Sequence, residues 1–281
     1  MHPLDIRGLL QRFNLRPKKG LGQNFLVDEA ALARVTAAAE LTPDDTVLEI
    51  GPGLGSLTRH LAEAARRVIA VEIDEALLPA LEHTLQPYDN VEVIRADILA
   101  FDLARQANPP PGYKVVANIP YNITSAVIRY LLEAPAKPRR IVLTVQQEVA
   151  ERIVAQPDDM SLLAVSVQFY SQARIVARLP AGAFYPRPEV DSAVVLLDVL
   201  PSPAVPVADV HQFFRVVKAG FSQKRKQLRN SLGAGLHLGN LQVDALLAQA
   251  GISAQRRAET LTIEEWGRLS RAAVELSLLG A

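Results

Sequence analysis

Cysteine is absent from this chain of 281 residues, which excludes disulfides, a thiolate nucleophile and a cysteine metal site. Histidine is scarce, and its five positions show no i, i+4 pair and no cluster with metal-ligand spacing, so we expect no metal. No uninterrupted apolar run is long enough to span a bilayer, and the first twenty residues lack the apolar core of a signal peptide. We therefore expect a cytoplasmic protein without a membrane anchor.

Net charge is also absent, because 30 Lys and Arg residues balance 30 Asp and Glu residues. Overall charge therefore indicates no partner, and any surface for nucleic acid must come from local clustering. The length favours one large domain and one small domain.

Apolar strand-like runs alternate with helix-like segments up to about residue 200. The pattern predicts strands at 46–50, 68–72, 91–94, 114–118, 141–145 and 192–200. It predicts helices at 54–65, 74–85, 124–133 and 147–155. This alternation is typical of an α/β fold with a parallel sheet and helices on both faces.

The pattern changes at a linker with three prolines, residues 201–209. Beyond it no strand pattern occurs, and helices are predicted near 210–219, 241–250 and 262–278. We expect an α/β domain over 1–204 and a small helical domain over 205–281, with Trp266 in the core of the latter.

A glycine loop follows the first long strand in VLEIGPGLGSLT, residues 47–58. Gly51 and Gly53 allow a ligand to approach the backbone because no Cβ blocks it. Glu72 ends the second of these strands, where a carboxylate can accept hydrogen bonds from ribose hydroxyls, and Asp97 follows the third. Ligands of open α/β sheets bind at the carboxyl ends of the strands, so these residues predict a nucleoside site.

The glycine spacing distinguishes two cofactors. A dinucleotide fingerprint places its third glycine three residues after the second, where this chain has Ser56, whereas Gly55 gives the spacing G-x-G-x-G. This spacing favours S-adenosylmethionine. Glu49 is expected to order the loop or to meet the methionine ammonium.

The fourth strand ends in the tetrapeptide Asn118-Ile119-Pro120-Tyr121. An exocyclic adenine amine is a poor nucleophile, and an enzyme can help it by accepting hydrogen bonds from both amino hydrogens. The Asn118 side-chain oxygen can accept one, and the Ile119 carbonyl, held in one direction by Pro120, can accept the other. Tyr121 can stack on the base. These residues predict methyl transfer to N6 of adenine.

These motifs resemble those of the ribosomal RNA adenine dimethyltransferase family, and most closely its bacterial members that act on small-subunit 16S rRNA. The resemblance covers nearly the whole chain and rests on KKGLGQNFLVD (18–28), EIGPGLGSLT (49–58), VEID (71–74), RADIL (95–99), NIPYNI (118–123), QQEVAERI (146–153), FYPRPEVDSAVV (184–195) and FSQKRKQLRNSL (221–232).

The resemblance implies a Rossmann-like class I methyltransferase sheet, a small C-terminal helical domain and a role for residues 1–28 at the cofactor or RNA. It also implies that Phe184 helps Tyr121 to sandwich the target base. Together with the glycine loop, the implied cofactor contacts are Asn24, Leu26, Gly51, Gly53, Glu72, Asp97 and Asn118.

Basic residues cluster in two segments of this neutral chain. Residues 211–243 contain six Lys and Arg and no Asp or Glu, and we predict RNA contacts by Lys224, Arg225, Lys226 and Arg229. The first nineteen residues hold a second basic cluster. The expected partner is small-subunit rRNA within an immature 30S subunit, bound by a monomer.

Three other hypotheses compete with this one. The first is the macrolide-resistance type of enzyme, which methylates large-subunit rRNA and often carries Ile at the position of Ile119. The second is a catalytically idle relative that only binds the ribosome, which the intact tetrapeptide disfavours. The third is a nicotinamide dehydrogenase, which the glycine spacing disfavours.

Overall fold

The computed structural model of the protein describes residues 2–279. Nine strands are present in this range: β1 Phe25–Leu26, β2 Thr46–Ile50, β3 Arg67–Glu72, β4 Val91–Arg95, β5 Lys114–Asn118, β6 Arg140–Gln146, β7 Ser171–Leu179, β8 Phe184–Tyr185 and β9 Ser192–Val199. The α-helices are α1 Ile6–Arg12, α2 Glu29–Ala38, α3 Ser56–Ala64, α4 Leu78–Leu85, α5 Leu103–Gln106, α6 Thr124–Glu133, α7 Gln147–Ile153, α8 Leu162–Gln168, α9 Val210–Phe221, α10 Leu228–Leu236, α11 Asn240–Ala250 and α12 Ile263–Glu275.

Seven strands form one sheet in the order β4-β3-β2-β5-β6-β9-β7. Strands β2 to β6 pair in parallel, as the alternation of strands and helices predicts. The first crossovers run outward from β2 through β3 to β4, and the chain then returns to place β5 on the other side of β2. The strand order therefore reverses between β2 and β5, and such a reversal opens a crevice at the carboxyl ends of the strands.

One feature of the sheet differs from the prediction of parallel strands. Strand β9 pairs antiparallel with β6, with Leu143 opposite Val195. An apolar run buried on both faces has the same pattern in either direction, so the sequence indicates the strand and not its orientation. The edge strand β7 was not predicted, because it alternates exposed and partly buried residues and includes Arg174 and Arg178.

The chain forms two compact units. The first comprises Met1–Ala150 and Gln172–Val199, and the second comprises Glu151–Ser171 and Leu200–Ala281. The second unit thus resumes at Leu200, next to the predicted linker at 201–209. It also includes Glu151–Ser171, which sequence analysis places in the first domain.

The core of the second unit is aromatic. Phe213 stacks on Phe169 with ring centroids 4.3 Å apart, and Trp266 is fully buried beside Phe221. Helix α12 begins with a capping box in which Thr262 and Glu265 satisfy each other's backbone N–H groups. Trp266 is therefore a core residue, as predicted.

A buried ion pair stabilises the amino edge of the sheet, away from the crevice. Lys114 at the start of β5 lies 2.9 Å from Asp45, and both side chains are buried. Burial alone would raise the pKa of Asp45, but hydrogen bonds from Lys114 and Thr42 outweigh it and hold this pKa below its usual range. Arg139, which is half exposed, also pairs with Asp45.

We predict that Asp45→Ala destabilises the protein by about 3–5 kcal/mol, because it leaves the Lys114 ammonium buried without a counter-charge. Arg139→Gln is the control and should cost no more than about 1 kcal/mol, since an exposed partner contributes little. The pKa of Asp45 is lowered in the folded state. The ionised carboxylate therefore stabilises the folded protein at neutral pH, and this contribution is lost as the pH falls through that pKa. Urea unfolding of both variants measures this, and equal losses would contradict it.

Candidate active site

A cavity that is open to solvent lies where the strand order reverses. The carboxyl ends of β2, β3 and β5 and the segment around β1 form its walls. Among the described residues its lining comprises Leu21, Gly22, Gln23, Asn24, Phe25, Ile50, Gly51, Gly53, Val71, Glu72, Ile73, Leu77, Ala96, Asp97, Ile98, Asn118, Ile119, Pro120, Tyr121 and Ile123. Six of the seven predicted cofactor residues therefore line a single cavity.

The glycine loop adopts a backbone that only glycine tolerates without strain. Gly51 has φ +69° and Gly53 has φ +61°. A Cβ on Gly53 would lie 3.0 Å from the Phe25 ring, which is closer than carbon atoms normally approach. The loop therefore turns tightly beneath β1, and its backbone is exposed to the cavity.

Glu72 organises the centre of the site. Its side chain is 4% exposed, and its Oε2 accepts a hydrogen bond from the Gly53 N–H at 3.0 Å. Its Oε1 accepts one from the Asp74 N–H at 2.8 Å. Burial raises the pKa of Glu72, and the two backbone hydrogen bonds oppose that rise. Each oxygen keeps a second lone pair, so the carboxylate that shapes the loop can also accept hydrogen bonds from a ligand.

The charge of the cavity has one sign. Its carboxylate lining residues are Glu72 and Asp97, and within residues 2–279 no Lys, Arg or His lines it. Asp97 is exposed, and one of its oxygens accepts from the Leu99 N–H at 2.9 Å. Such a cavity favours a cationic ligand and opposes the pyrophosphate of a dinucleotide.

The tetrapeptide Asn118-Ile119-Pro120-Tyr121 borders the same cavity. The Asn118 side-chain N–H donates to the Asn24 carbonyl at 2.9 Å, which fixes the amide and leaves its Oδ1 as an acceptor. Pro120 has φ −56° and orients the carbonyl of the preceding residue. The Tyr121 hydroxyl lies 2.7 Å from the Ser192 Oγ, which anchors the ring at the cavity wall.

Two of the predicted cofactor and catalytic residues lie outside the cavity. Leu26 and Phe184 face each other across the β1–β8 ribbon, are 3% and 4% exposed, and belong to the hydrophobic core. The structure thus does not bring Phe184 to the cavity with Tyr121. The Phe184 ring is apolar, and its burial in the core removes its apolar surface from water. The base-sandwiching role of Phe184 and the cofactor role of Leu26 stay predictions.

The predicted RNA-binding residues differ in their pairing. Arg229 forms two hydrogen bonds with Asp244, at 2.6 and 2.7 Å, so its charge is already matched. Lys224, Arg225 and Lys226 are exposed between α9 and α10, and their side chains form no ion pair with the part of the chain that the structure describes. These three cations are therefore free to meet phosphate.

Three residues that fasten the segment over the cavity were not predicted as a group from the sequence. Asp74 follows Glu72 and accepts hydrogen bonds from Lys18 and Gln23. The motifs KKGLGQNFLVD and VEID contain all three residues. They could not be paired from the sequence, because about 50 residues separate them.

Glu49 is a buried acid behind the glycine loop. It is 1% exposed, and its Oε2 has no hydrogen-bond partner among residues 2–279. Burial raises the pKa of Glu49 to about 8, the nearby Thr58 hydroxyl offsets part of the rise, and the charge of Glu72 adds to it. Glu49 is therefore mostly protonated at neutral pH.

Comparison with known proteins agrees with this geometry. A family model described as ribosomal RNA adenine dimethylase matches residues 14–273. A ribosomal RNA small subunit methyltransferase A from Dehalococcoides mccartyi is 47% identical over 265 residues, which cover 94% of this chain and 91% of that protein. The protein of the same name from Moorella thermoacetica is 45% identical over 273 residues, 94% of each chain.

Solved structures agree as well. The 23S rRNA methyltransferase ErmE aligns with a TM-score of 0.71 and 33% identity, covering 89% of this chain and 99% of that one. A dimethyladenosine transferase from Plasmodium falciparum aligns with a TM-score of 0.78 and 25% identity, covering 90% and 98%.

The seven-stranded sheet, the glycine loop and the acidic cavity define a class I methyltransferase. Within this class, the chain belongs to the ribosomal RNA adenine dimethylase family. It is thus an enzyme, and the idle-relative and dehydrogenase hypotheses are not supported.

The buried Glu49 carboxyl should make the stability of the protein depend on pH. Its folded pKa of about 8 exceeds the usual 4.5, so the folded state binds this proton more tightly than the unfolded state. The resulting stabilisation is full below pH 4.5 and is lost as the pH rises to about 8. Glu49→Gln, which cannot ionise, should therefore gain stability relative to the wild type across that window. Urea unfolding at several pH values measures the difference, and a difference that does not change with pH would refute the assignment.

Proposed function

We propose that this enzyme transfers methyl groups from S-adenosylmethionine to N6 of two adjacent adenines near the 3′ end of small-subunit 16S rRNA. The product is N6,N6-dimethyladenosine at both positions. The observation that carries the proposal is the Asn118 Oδ1, a fixed acceptor at the wall of an acidic cavity bordered by the glycine loop.

The cavity suits S-adenosylmethionine for reasons of charge and shape. The molecule has a positive sulfonium and a positive ammonium, and the cavity offers two carboxylates and no cation within residues 2–279. Glu72 would hold the ribose hydroxyls and Asp97 the adenine amine, as in the sequence prediction. Gly51 and Gly53 would let the backbone approach the methionine end.

The tetrapeptide would raise the nucleophilicity of the target amine. Asn118 Oδ1 accepts one amino hydrogen and the Ile119 carbonyl accepts the other, which directs the nitrogen lone pair away from both. Tyr121 stacks on the base, and its ring is fixed through Ser192. When bound, the sulfonium supplies an activated methyl group. Asn118 and Ile119 would hold the amine in line with that methyl group, whose departure would leave the C–S electron pair on sulfur, and water would take the amine proton.

A second transfer requires no new group. After one methylation the amine keeps one hydrogen for one acceptor, and the wall formed by Ile119 and Tyr121 is apolar or aromatic. The site can therefore accept N6-methyladenine, which supports dimethylation as the final product.

Sequence similarity favours the small subunit as the target. The ribosomal RNA small subunit methyltransferase A of Dehalococcoides mccartyi is 47% identical to this chain, whereas ErmE, named as a 23S rRNA methyltransferase, is 33% identical. Ile119 is the feature that keeps the large-subunit alternative open, because Ile is common there. The segments FYPRPEVDSAVV and FSQKRKQLRNSL support the small subunit.

The remaining functional assignments follow from this substrate. We place catalysis in residues 1–204 and ribosome binding in 205–281, with Lys224, Arg225, Lys226 and the paired Arg229 contributing to RNA contact. The partner would be an immature 30S subunit, and the enzyme would act in the cytoplasm, where ribosomes assemble. It would act as a monomer. No helix within residues 2–279 could cross a membrane, and no cluster there could hold a metal ion.

The product tests the proposal directly. Small subunits, large-subunit precursors and protein-free rRNA are offered in parallel with methyl-labelled S-adenosylmethionine, and modified adenines are mapped by primer extension and mass spectrometry. We expect two neighbouring dimethyladenosines near the 3′ end of 16S rRNA, with a partly assembled subunit as the best substrate. Modification confined to large-subunit RNA would establish the macrolide-resistance type instead.

We predict that Asn118→Ala slows methyl transfer on the order of 100-fold, because the amine loses the acceptor that orients it. RNA affinity should change little. Asn122→Ala is the matched control, an exposed asparagine in the same loop. Single-turnover rates and filter binding separate the two effects, and equal losses in rate and affinity would make Asn118 a structural residue.

Neutralising the free cations should weaken RNA binding. The triple change of Lys224, Arg225 and Lys226 to Gln should lower the slope of log affinity against log salt by as much as about three. Arg229→Gln should lower the slope less, because Asp244 already pairs with Arg229. Titrations at several salt concentrations measure the slopes, and an unchanged slope in the triple variant would move the RNA surface elsewhere.

A further inference from the structure

Asp74 is a buried carboxylate whose two oxygens are both engaged by the N-terminal segment. It is 4% exposed, its Oδ1 lies 2.6 Å from the Lys18 Nζ, and its Oδ2 accepts a hydrogen bond from the Gln23 Nε2 at 2.7 Å. The Gln23 Oε1 in turn accepts from the Lys18 backbone N–H at 2.7 Å. We call Asp74, Lys18 and Gln23 the clasp.

The clasp holds the part of the chain that forms one wall of the cavity. Gln23 and the residues around it, Leu21–Phe25, all line the cavity. Gly22 packs against the catalytic loop, where its Cβ position would lie 3.1 Å from the Pro120 Cβ. The Asn24 carbonyl accepts the hydrogen bond from the Asn118 side chain. The clasp therefore fixes Gln23, the residue immediately before Asn24, whose carbonyl orients the Asn118 side chain.

The other end of the clasp is joined to the cofactor side of the site. The Asp74 N–H donates to the Glu72 Oε1, and Glu72 also holds the Gly53 N–H. Hydrogen bonds and short stretches of backbone thus connect Glu72, Asp74, Gln23, Asn24 and Asn118 without a break. The two halves of the site, for methyl donor and for target amine, share this one connection.

Helix capping alone does not account for this carboxylate. The Asp74 Oδ1 also accepts from the Ala76 N–H at 3.1 Å and so caps the 3-10 turn at 75–77. A neutral Asn or Ser performs that task equally well. The charged pair with Lys18 adds a stronger hydrogen bond, because ionised partners bind about twice as strongly as neutral ones. Although burial alone would raise it, hydrogen bonds from Lys18 and Gln23 keep the pKa of Asp74 below its usual range.

The geometry assigns Asp74 the role of a positioning residue, which holds Gln23 and Asn24 so that Asn118 presents its Oδ1 to the target amine. Asp74 acts through these residues and touches neither the methyl donor nor the base. The assignment rests on the proposed function, since it concerns the step in which the amine attacks.

Asp74→Asn is the most informative variant. It keeps the shape and the cap, but it removes the charge and replaces one acceptor by an N–H that cannot accept from Lys18 or Gln23. We expect kcat to fall about 10- to 100-fold with an unchanged KM for RNA, because a small misplacement of an orienting group has effects of this size. Glu75→Gln is the control, since its carboxylate is exposed and pairs only at the surface with Arg95.

The Asn118 side-chain amide supplies a readout that a purely structural role would not change. One of its N–H groups donates to Asn24, so that hydrogen should exchange slowly with solvent in the wild type and in Glu75→Gln when followed by nuclear magnetic resonance. In Asp74→Asn the same hydrogen should exchange fast. Should that variant fail to fold by circular dichroism, Lys18→Met at the half-exposed end of the clasp replaces it, with a smaller loss of kcat expected; Lys18→Arg should retain activity.

The outcomes are distinct. Full activity of both Asp74→Asn and Lys18→Met overturns the assignment, and so does a loss of kcat while the Asn118 amide stays protected. A wild-type enzyme that modifies no 16S adenine overturns the proposed function instead. In that case the exchange measurement still shows whether the clasp orients Asn118.

Discussion

The site depends on one buried carboxylate, Glu72, at the point where the strand order of the sheet reverses. A carboxylate removed from water is costly unless hydrogen bonds surround it, and here the donors are the backbone N–H groups of Gly53 and Asp74. Those two bonds fix the glycine loop on one side and the start of the clasp on the other. The need to satisfy one charge thereby sets the shape of the cavity.

The charges of the first unit are distributed differently at the two edges of the sheet. The cavity edge of the sheet has unpaired negative charge, which suits a sulfonium and an ammonium, whereas the opposite edge holds the buried pair of Asp45 and Lys114. The pair of Asp45 and Lys114 stabilises the fold at one edge. At the cavity edge Asp74 is paired with Lys18, whereas Glu72 and Asp97 remain available to a ligand. Glu49, protonated behind the loop, avoids adding a third negative charge beside Glu72.

Adenine methylation needs little chemistry from the protein, which explains why so few residues carry it. In the proposed mechanism the methyl donor is already activated, so Asn118, Ile119 and Tyr121 would have only to orient an amine and hold a base. Precision then matters more than reactivity, and a segment that fixes Asn118 becomes as important as Asn118 itself. The β1 segment has this position, between the glycine loop and the tetrapeptide.

The sequence by itself determined the strands β2 to β6, the glycine loop, the acidic strand ends and the tetrapeptide, because each is written in consecutive residues with a local physical meaning. The carboxyl ends of parallel strands must meet at one edge, so the strand pattern alone was enough to place Glu72, Asp97 and Asn118 together. Only the tertiary structure decided the antiparallel β9, the burial of Phe184, the pairing of Arg229 with Asp244 and the clasp of Lys18 and Gln23 on Asp74. These depend on contacts between residues distant in the chain, whose partners are set by three-dimensional packing and have no signature in a single sequence.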